Sequence, residues 1–281
     1  MDGITIAVVL CCACSTALLN CALRNERDPV VTALMVSIGG AVVAIPALFF
    51  TGLPGLESAP YLIVSTLIGS LYWLVLGRAY ASGEISIVFP LAYGSAPIWI
   101  LLLSGMVFSE TLSNNQMVVI SVICAGLMLV VSAGARGASQ LSWQVLKNSL
   151  ATTVIICTYT LCDAMAVRNT GNGFAYTVFL YASSGVLVFA ISLLRCHKKL
   201  ANAFAANRYI GLLWGALSLV NYSGELWAMA RAPVALVAAL RESSILFAII
   251  FAVFWLKEPM NLGRITGGGV VAVGLILLRL A

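Results

Sequence analysis

Apolar residues in this chain come in runs of about twenty, each closed by a short polar cluster. A helix needs about 20 mostly apolar residues to cross a bilayer. On that scale the pattern predicts ten spans, at about 4–23, 30–50, 61–82, 85–108, 115–133, 148–167, 174–194, 209–230, 233–256 and 262–280. Little is left between them. The longest connection, Gly134 to Lys147, has no apolar periodicity and would not fold alone.

Composition agrees with the pattern. Of the 281 residues, 62% are hydrophobic and 9% charged, with a mean hydropathy of +1.05. A soluble domain has roughly 45–50% apolar and about 25% charged residues. The bilayer is therefore the solvent. The sequence holds no P-loop, and Gly267-Gly268-Gly269 lies inside the tenth run, where small residues allow close helix packing. The cysteines of "CCACSTALLNC" place Cys11, Cys14 and Cys21 on one helical face, but His197 is far away in a loop. Zinc sites draw on closed tetrahedral Cys/His sets, and free cysteines otherwise behave as small buried hydrophobes. No metal, cofactor or structural disulfide is expected. "MDGITIAVVL" lacks the basic segment of a secretory signal, so the first run is expected to stay in the fold.

The runs also repeat. "LNCALRNERDP" and "CDAMAVRNTGN" close the first and sixth runs, matching Arg24-Asn25 to Arg168-Asn169 at an offset of 144. "FSETLSNNQMVVISVICAGLMLV" aligns with "LKEPMNLGRITGGGVVAVGLILL" at an offset of 148, matching Glu110 to Glu258 and Gly126-Leu127 to Gly274-Leu275. Five spans per half is an odd number, so the second half enters the membrane in the opposite sense. Inverted repeats of this kind typify secondary transporters, whose site lies near the midplane between them. The expected fold is an all-α integral membrane protein, ten transmembrane helices arranged as two inverted five-helix repeats (1–134 and 135–281) around a central cavity.

Charge sets the orientation. Of 15 Lys and Arg residues, Arg241 is inside a run and Arg168, Arg231 and Arg279 lie on the side of the termini; the other eleven lie opposite. Basic residues in short loops favour the cytoplasm, which predicts termini outside it. The net charge of +5 is thus a topology signal rather than a nucleic-acid footprint.

The ten-run plan, the repeat and the two acidic motifs "FSETLSNNQ" and "WLKEPMNLG" together resemble the EamA-type drug/metabolite transporter superfamily. The resemblance covers nearly the whole chain. It implies ten helices around a central cavity and carriage of amino acids, other metabolites or drugs, often outward. Small relatives in that superfamily rely on a carboxylate in their first helix. The first run here has none, so that proton mechanism does not carry over by position.

Charge inside the runs marks the candidate site. "ALVAALRESSILFAIIFAVFWLKEP" carries Arg241 and Glu242 at its centre. On insertion scales each costs roughly 2.5–3.5 kcal/mol. The thirteen Leu, Ile, Phe and Val residues from Val234 to Leu256 return about 6 kcal/mol in all. The run breaks even and needs partners or water for its charges. Counted from the turn near Ala232, Glu225 and Arg241 lie at depths about 3 Å apart at 1.5 Å per residue. They are placed to pair across a hairpin, with Asn221 one turn from Glu225 and Glu242 about 100° further round its helix. The pair reads either as a brace that fixes register or as part of a substrate path, and ionisable residues at this depth favour the path. The 148-residue register sets Trp73, Gly77, Tyr93 and Gly94 opposite Asn221, Glu225, Arg241 and Glu242. Pro90 and Pro97 bracket Tyr93-Gly94 and are expected to break that helix, freeing carbonyls toward a cavity. Tyr61, Trp143, Tyr209 and Trp255 read as interfacial anchors, while Tyr72, Trp99 and Trp227 are left open between packing and lipid. Asp163 reads as a span-end residue paired with Arg168 or solvated.

The resulting expectation is a secondary active transporter and not an enzyme. It would export small polar or zwitterionic metabolites such as amino acids by alternating access. Arg241 would hold an anionic group, Trp73 and Tyr93 would form the opposite wall, and Glu225 or Glu242 would exchange a coupling proton. The alternatives are a carrier of phosphate- or sugar-bearing anions or of hydrophobic drugs. In a different class stand a membrane scaffold and an intramembrane lipid-modifying enzyme, the latter disfavoured by the lack of a paired metal-carboxylate cluster or a Cys/His dyad. The expected setting is a bacterial inner (plasma) membrane, as monomer or homodimer, with lipid and a small-molecule substrate as partners and no nucleic acid.

Overall fold

The computed structural model describes residues 1–108, 113–137, 142–170, 172–257 and 262–280, without the side chains of 85–86, 131, 133–137, 195–196, 206–208 and 278–280. The regular elements among them are all helical. They are α1 (Gly3–Asn25), α2 (Pro29–Thr51), α3 (Ala59–Ser82), α4 (Ile85–Gly94), α5 (Ala96–Phe108), α6 (Asn114–Gly137), α7 (Trp143–Thr170), α8 (Gly173–Met229), α9 (Val234–Arg241), α10 (Ser244–Phe254) and α11 (Leu262–Leu280), with one 3₁₀ turn at Leu56–Ser58. Seven helical segments are long and apolar enough to cross a membrane, or eight if His197–Ala205 and Tyr209–Met229 count as one bent crossing. Asn114–Val130 and Leu262–Leu277 are shorter apolar helices. Large apolar side chains such as Phe50, Met106 and Leu194 stand exposed on the outside, which suits a multi-pass protein surrounded by lipid.

The polar clusters between runs are caps. Asp2 accepts from the Thr5 amide, Asp28 from Val31 and Asn172 from Ala175, at 3.2, 3.2 and 3.1 Å. Each satisfies an amide that the first helical turn leaves without a partner. Ser113 and Gln116 form a reciprocal capping box at the start of α6. Glu110 and Glu258, the acidic residues of the two repeated motifs, lie outside the described residues.

Two departures from the expected spans have physical causes. The connection at 195–208, expected as a loop, is helical and makes α8 a 57-residue element. The segment "RCHKKLANAFAANR" has no Gly or Pro and several good helix formers. Its Leu200 is buried against Val31, Leu34 and Met35 of α2. The bend lies at its end, 96° between His197–Ala205 and Tyr209–Met229. The second departure concerns the fourth and ninth runs, which are both broken, at Ser95 and at Glu242-Ser243. Pro90 is accommodated inside α4, and Pro97 is the second residue of α5. The ninth run breaks with no proline. Its amides at Glu242, Ser243, Ile245 and Leu246 instead bond three residues back, the tighter 3₁₀ pattern.

The two halves interlock reciprocally. α1 packs on α9 and α10, while α7 packs on α4 and α5. A Cβ on Gly126 would stand 2.8 Å from the Val271 backbone N, and one on Gly274 would stand 3.3 Å from the Ile123 backbone N. The 148-residue offset carries each of these contacts onto the other, as a two-fold relation between halves requires. Within the membrane such close approach of small residues drives helix association, and it makes α6 and α11 one packed pair.

Candidate functional site

The broken helices deliver polar groups to the middle of the bundle. Where α4 stops, its terminal carbonyls must find donors other than the next helical turn. Ser95 Oγ donates to the Leu91 carbonyl at 2.9 Å, and Thr153 Oγ1 of α7 lies 3.1 and 3.0 Å from the Leu91 and Ala92 carbonyls. Ser95 and Thr153 hydroxyls also meet at 2.9 Å. This break is neutral and well supplied with donors.

The break between α9 and α10 is charged. Arg241, 3% exposed, points Nη1 at Glu225 Oε2 at 3.4 Å, and its Nε lies 3.8 Å from Glu242 Oε1. Asn221 Nδ2 donates to Glu225 Oε1 at 3.3 Å and to Thr16 Oγ1 at 2.9 Å, tying the cluster to α1. Cys12 adds a thiol contact at 3.3 Å to the Asn221 carbonyl. Even so, Arg241 Nε and Nη2 and both Glu242 oxygens are buried with no hydrogen-bond partner.

A cavity, partly continuous with the outside, opens beside this cluster. Arg241, Glu225, Asn221, Trp73 and Tyr93 all line it. Glu242 does not. The chain tightens at residue 242, and its carboxylate is wholly buried on the far side of Arg241. Pro90 and Pro97 shape α4 and α5 without lining the cavity. Gly77 is a packing position, since a Cβ there would meet the Val30 Cα at 2.7 Å.

The sequence reading missed the other side of the cavity. Tyr72, Tyr159, Tyr181 and Tyr222 join Tyr93 there. Tyr72 meets Tyr159 edge-on at 5.7 Å, and Tyr159 meets Tyr222 in the same way at 5.7 Å. Tyr72 and Tyr93 bond through their hydroxyls. Asn20 of α1 accepts from Tyr80 at 2.6 Å and from Tyr93 at 3.3 Å. Asp163 is corrected most. It is fully buried, lines the cavity, and accepts from Ser65, Tyr176 and Tyr222 rather than pairing with Arg168. Arg168 reaches past it to the Met229 and Ala232 carbonyls at 3.0 and 2.8 Å, with Phe108 beneath its guanidinium. A charged residue inside an apolar run is the signal that could have marked Asp163, as it marked Arg241. Among the expected anchors, Trp143, Tyr209 and Trp255 are exposed, and Tyr61 accepts from Asn169 at 3.5 Å.

Comparison with known proteins adds two findings. A model of the EamA-like transporter family matches residues 2–132 and again 146–280. A solved crystal structure of another protein superposes with a TM-score of 0.73, covering 100% of this chain and 98% of that one at 16% identity, a likeness that shows the fold alone. No curated protein matches the chain.

Proposed function

The chain belongs to the EamA-like transporter family, and from that premise we propose a secondary active carrier that exports small polar or zwitterionic metabolites of the amino acid type by alternating access. One observation carries this reading. Arg241 lines the cavity, is nearly inaccessible to solvent, and leaves Nε and Nη2 without hydrogen-bond partners. A buried charged donor without an acceptor is costly. A ligand carboxylate reaching the guanidinium from the cavity would give it a further charge-assisted partner. Arg241 is also the one cation among the described lining residues. That supports a singly charged carboxylate over a phosphoester.

Glu225 and Asn221 hold the guanidinium in place, and the tyrosines with Trp73 make the opposing wall. Two carboxylates around one guanidinium leave room for one exchangeable proton, which makes the proton the coupling ion. The reciprocal packing of the halves supports ten crossings built as two inverted repeats, 1–134 and 135–281. The basic loops support termini outside the cytoplasm of a bacterial inner membrane.

Counterflow of labelled amino acids into proteoliposomes tests the reading. Wild type should exchange at least one of them, and the double variant Arg241→Met with Glu225→Leu none while remaining folded. Exchange by the double variant at the wild-type rate would move the anion site elsewhere. For orientation, reporter fusions should place Ala281 outside the cytoplasm and Lys198 inside it; the reverse pattern would overturn the assignment.

A further inference from the structure

The cavity has a second charged pole. Asp163 of α7 is 0% exposed and makes no ion pair among the described residues. Its Oδ1 accepts from Ser65 and Tyr176 and its Oδ2 from Tyr222. A carboxylate offers about four acceptor positions, so three hydroxyls leave one open on the Oδ2 side. Tyr222, one of its donors, packs edge to face with Tyr159, and Tyr159 with Tyr72. Aromatic faces attract cations.

The two poles share one cavity. Tyr222 bonds Asp163, and Glu225 bonds Arg241. These two residues are three apart on α8. A ligand with both an amine and a carboxylate would offer each pole a partner. We infer that Asp163, with its hydroxyl collar, is the ammonium subsite of this cavity and favours substrates that carry a cationic amine as well as a carboxylate. The inference rests on the carrier reading, in which Arg241 takes the carboxylate. It adds the group that tells an amino acid from a hydroxy acid of the same shape.

Matched ligands test it on the purified full chain, by equilibrium binding and thermal shift. The sets are leucine, 2-hydroxyisocaproate and isoamylamine, and phenylalanine, phenyllactate and phenethylamine. A buried charge-assisted hydrogen bond should make wild type prefer at least one amino acid over its hydroxy acid by about tenfold or more. Asp163→Asn should erase that preference while leaving hydroxy acid affinity little changed. If Asp163→Asn does not fold, Arg241→Met decides, because it should still bind the amine of the preferred set. Failure of that amine to bind would overturn the inference. Equal wild-type affinity for amino and hydroxy acids would also overturn it, yet leave the Arg241 carboxylate site standing. Binding of no member of either set would remove both. Stabilisation by sodium chloride over choline chloride, abolished in Asp163→Asn, would reassign the carboxylate to an inorganic cation and overturn the amine subsite.

Discussion

The breaks in α4/α5 and α9/α10 occupy the same register position in the two halves, and the contrast between them separates scaffold from function. Both stop a membrane-depth helix, and both are crossed by the first helix of the other half. At Ser95 the freed carbonyls are met by Ser95 and Thr153 hydroxyls, with no charge involved. At Glu242 the same device carries Arg241 between two carboxylates and leaves four buried polar atoms of that pair without hydrogen bonds. A polar network left partly unsatisfied is worse than an apolar core unless something completes it. The neutral break is complete without a ligand. The charged one is not, and this asymmetry between otherwise similar halves is what favours it as the proposed ligand site.

The largest expected effect comes from stripping the charged break. Arg241→Met or Glu225→Leu alone strands a buried charge, at roughly 3–5 kcal/mol, whereas replacing a whole buried pair by apolar groups is often near neutral. The double variant should therefore regain much of the thermal stability that either single loses. Flux should stay absent in all three. A double variant both stable and fully active would make this break as purely structural as its counterpart at Ser95.

Thr153→Val probes the neutral break. The swap keeps the shape and removes the hydroxyl shared by the Leu91 and Ala92 carbonyls, leaving Ala92 the more exposed to loss because Ser95 still serves Leu91. The cost should be about 1–3 kcal/mol in stability, with substrate affinity unchanged in binding assays. A selective loss of affinity at wild-type stability would mean that both breaks touch the ligand.

How much of this was legible in the sequence depends on range. Each predicted span lies on helix because run length is a local property, and the Glu225–Arg241 pair was legible because a tight turn fixes the relative depth of two adjacent helices. The tyrosine wall was not, since it gathers residues from α3, α4, α7 and α8, whose packing no local count supplies. Asp163 was misread for a related reason. Its neighbour in sequence, Arg168, offered a local partner, and its three hydroxyl donors come from 13 to 98 residues away. Glu242 was placed by rotating an ideal helix through 100°, but the helix stops being ideal at that residue. Pro90 and Pro97 signalled a real break in the fourth run, while the ninth breaks without proline, its amides around Glu242 bonding three residues back.

The smallest stability change, and the sharpest functional one, is expected of Glu242→Gln. Glu242 lies behind Arg241 and outside the cavity lining, with Nε of the arginine at 3.8 Å and no hydrogen bond to either oxygen. Glutamine fits the same space and removes only the ability to hold a negative charge there. Because Glu225 still pairs Arg241 after the change, stability should move by about 1 kcal/mol, near the centre of the usual range for single substitutions. Substrate exchange at equal pH should persist, since Glu225 still braces Arg241. If Glu242 carries the coupling proton, an imposed pH gradient at fixed membrane potential should drive accumulation in wild type and none in Glu242→Gln. Equal accumulation in both would leave Glu225 as the carboxylate to test. Accumulation in neither, with exchange intact, would mean that proton movement does not drive the carrier and that the charged break serves only to hold its ligand.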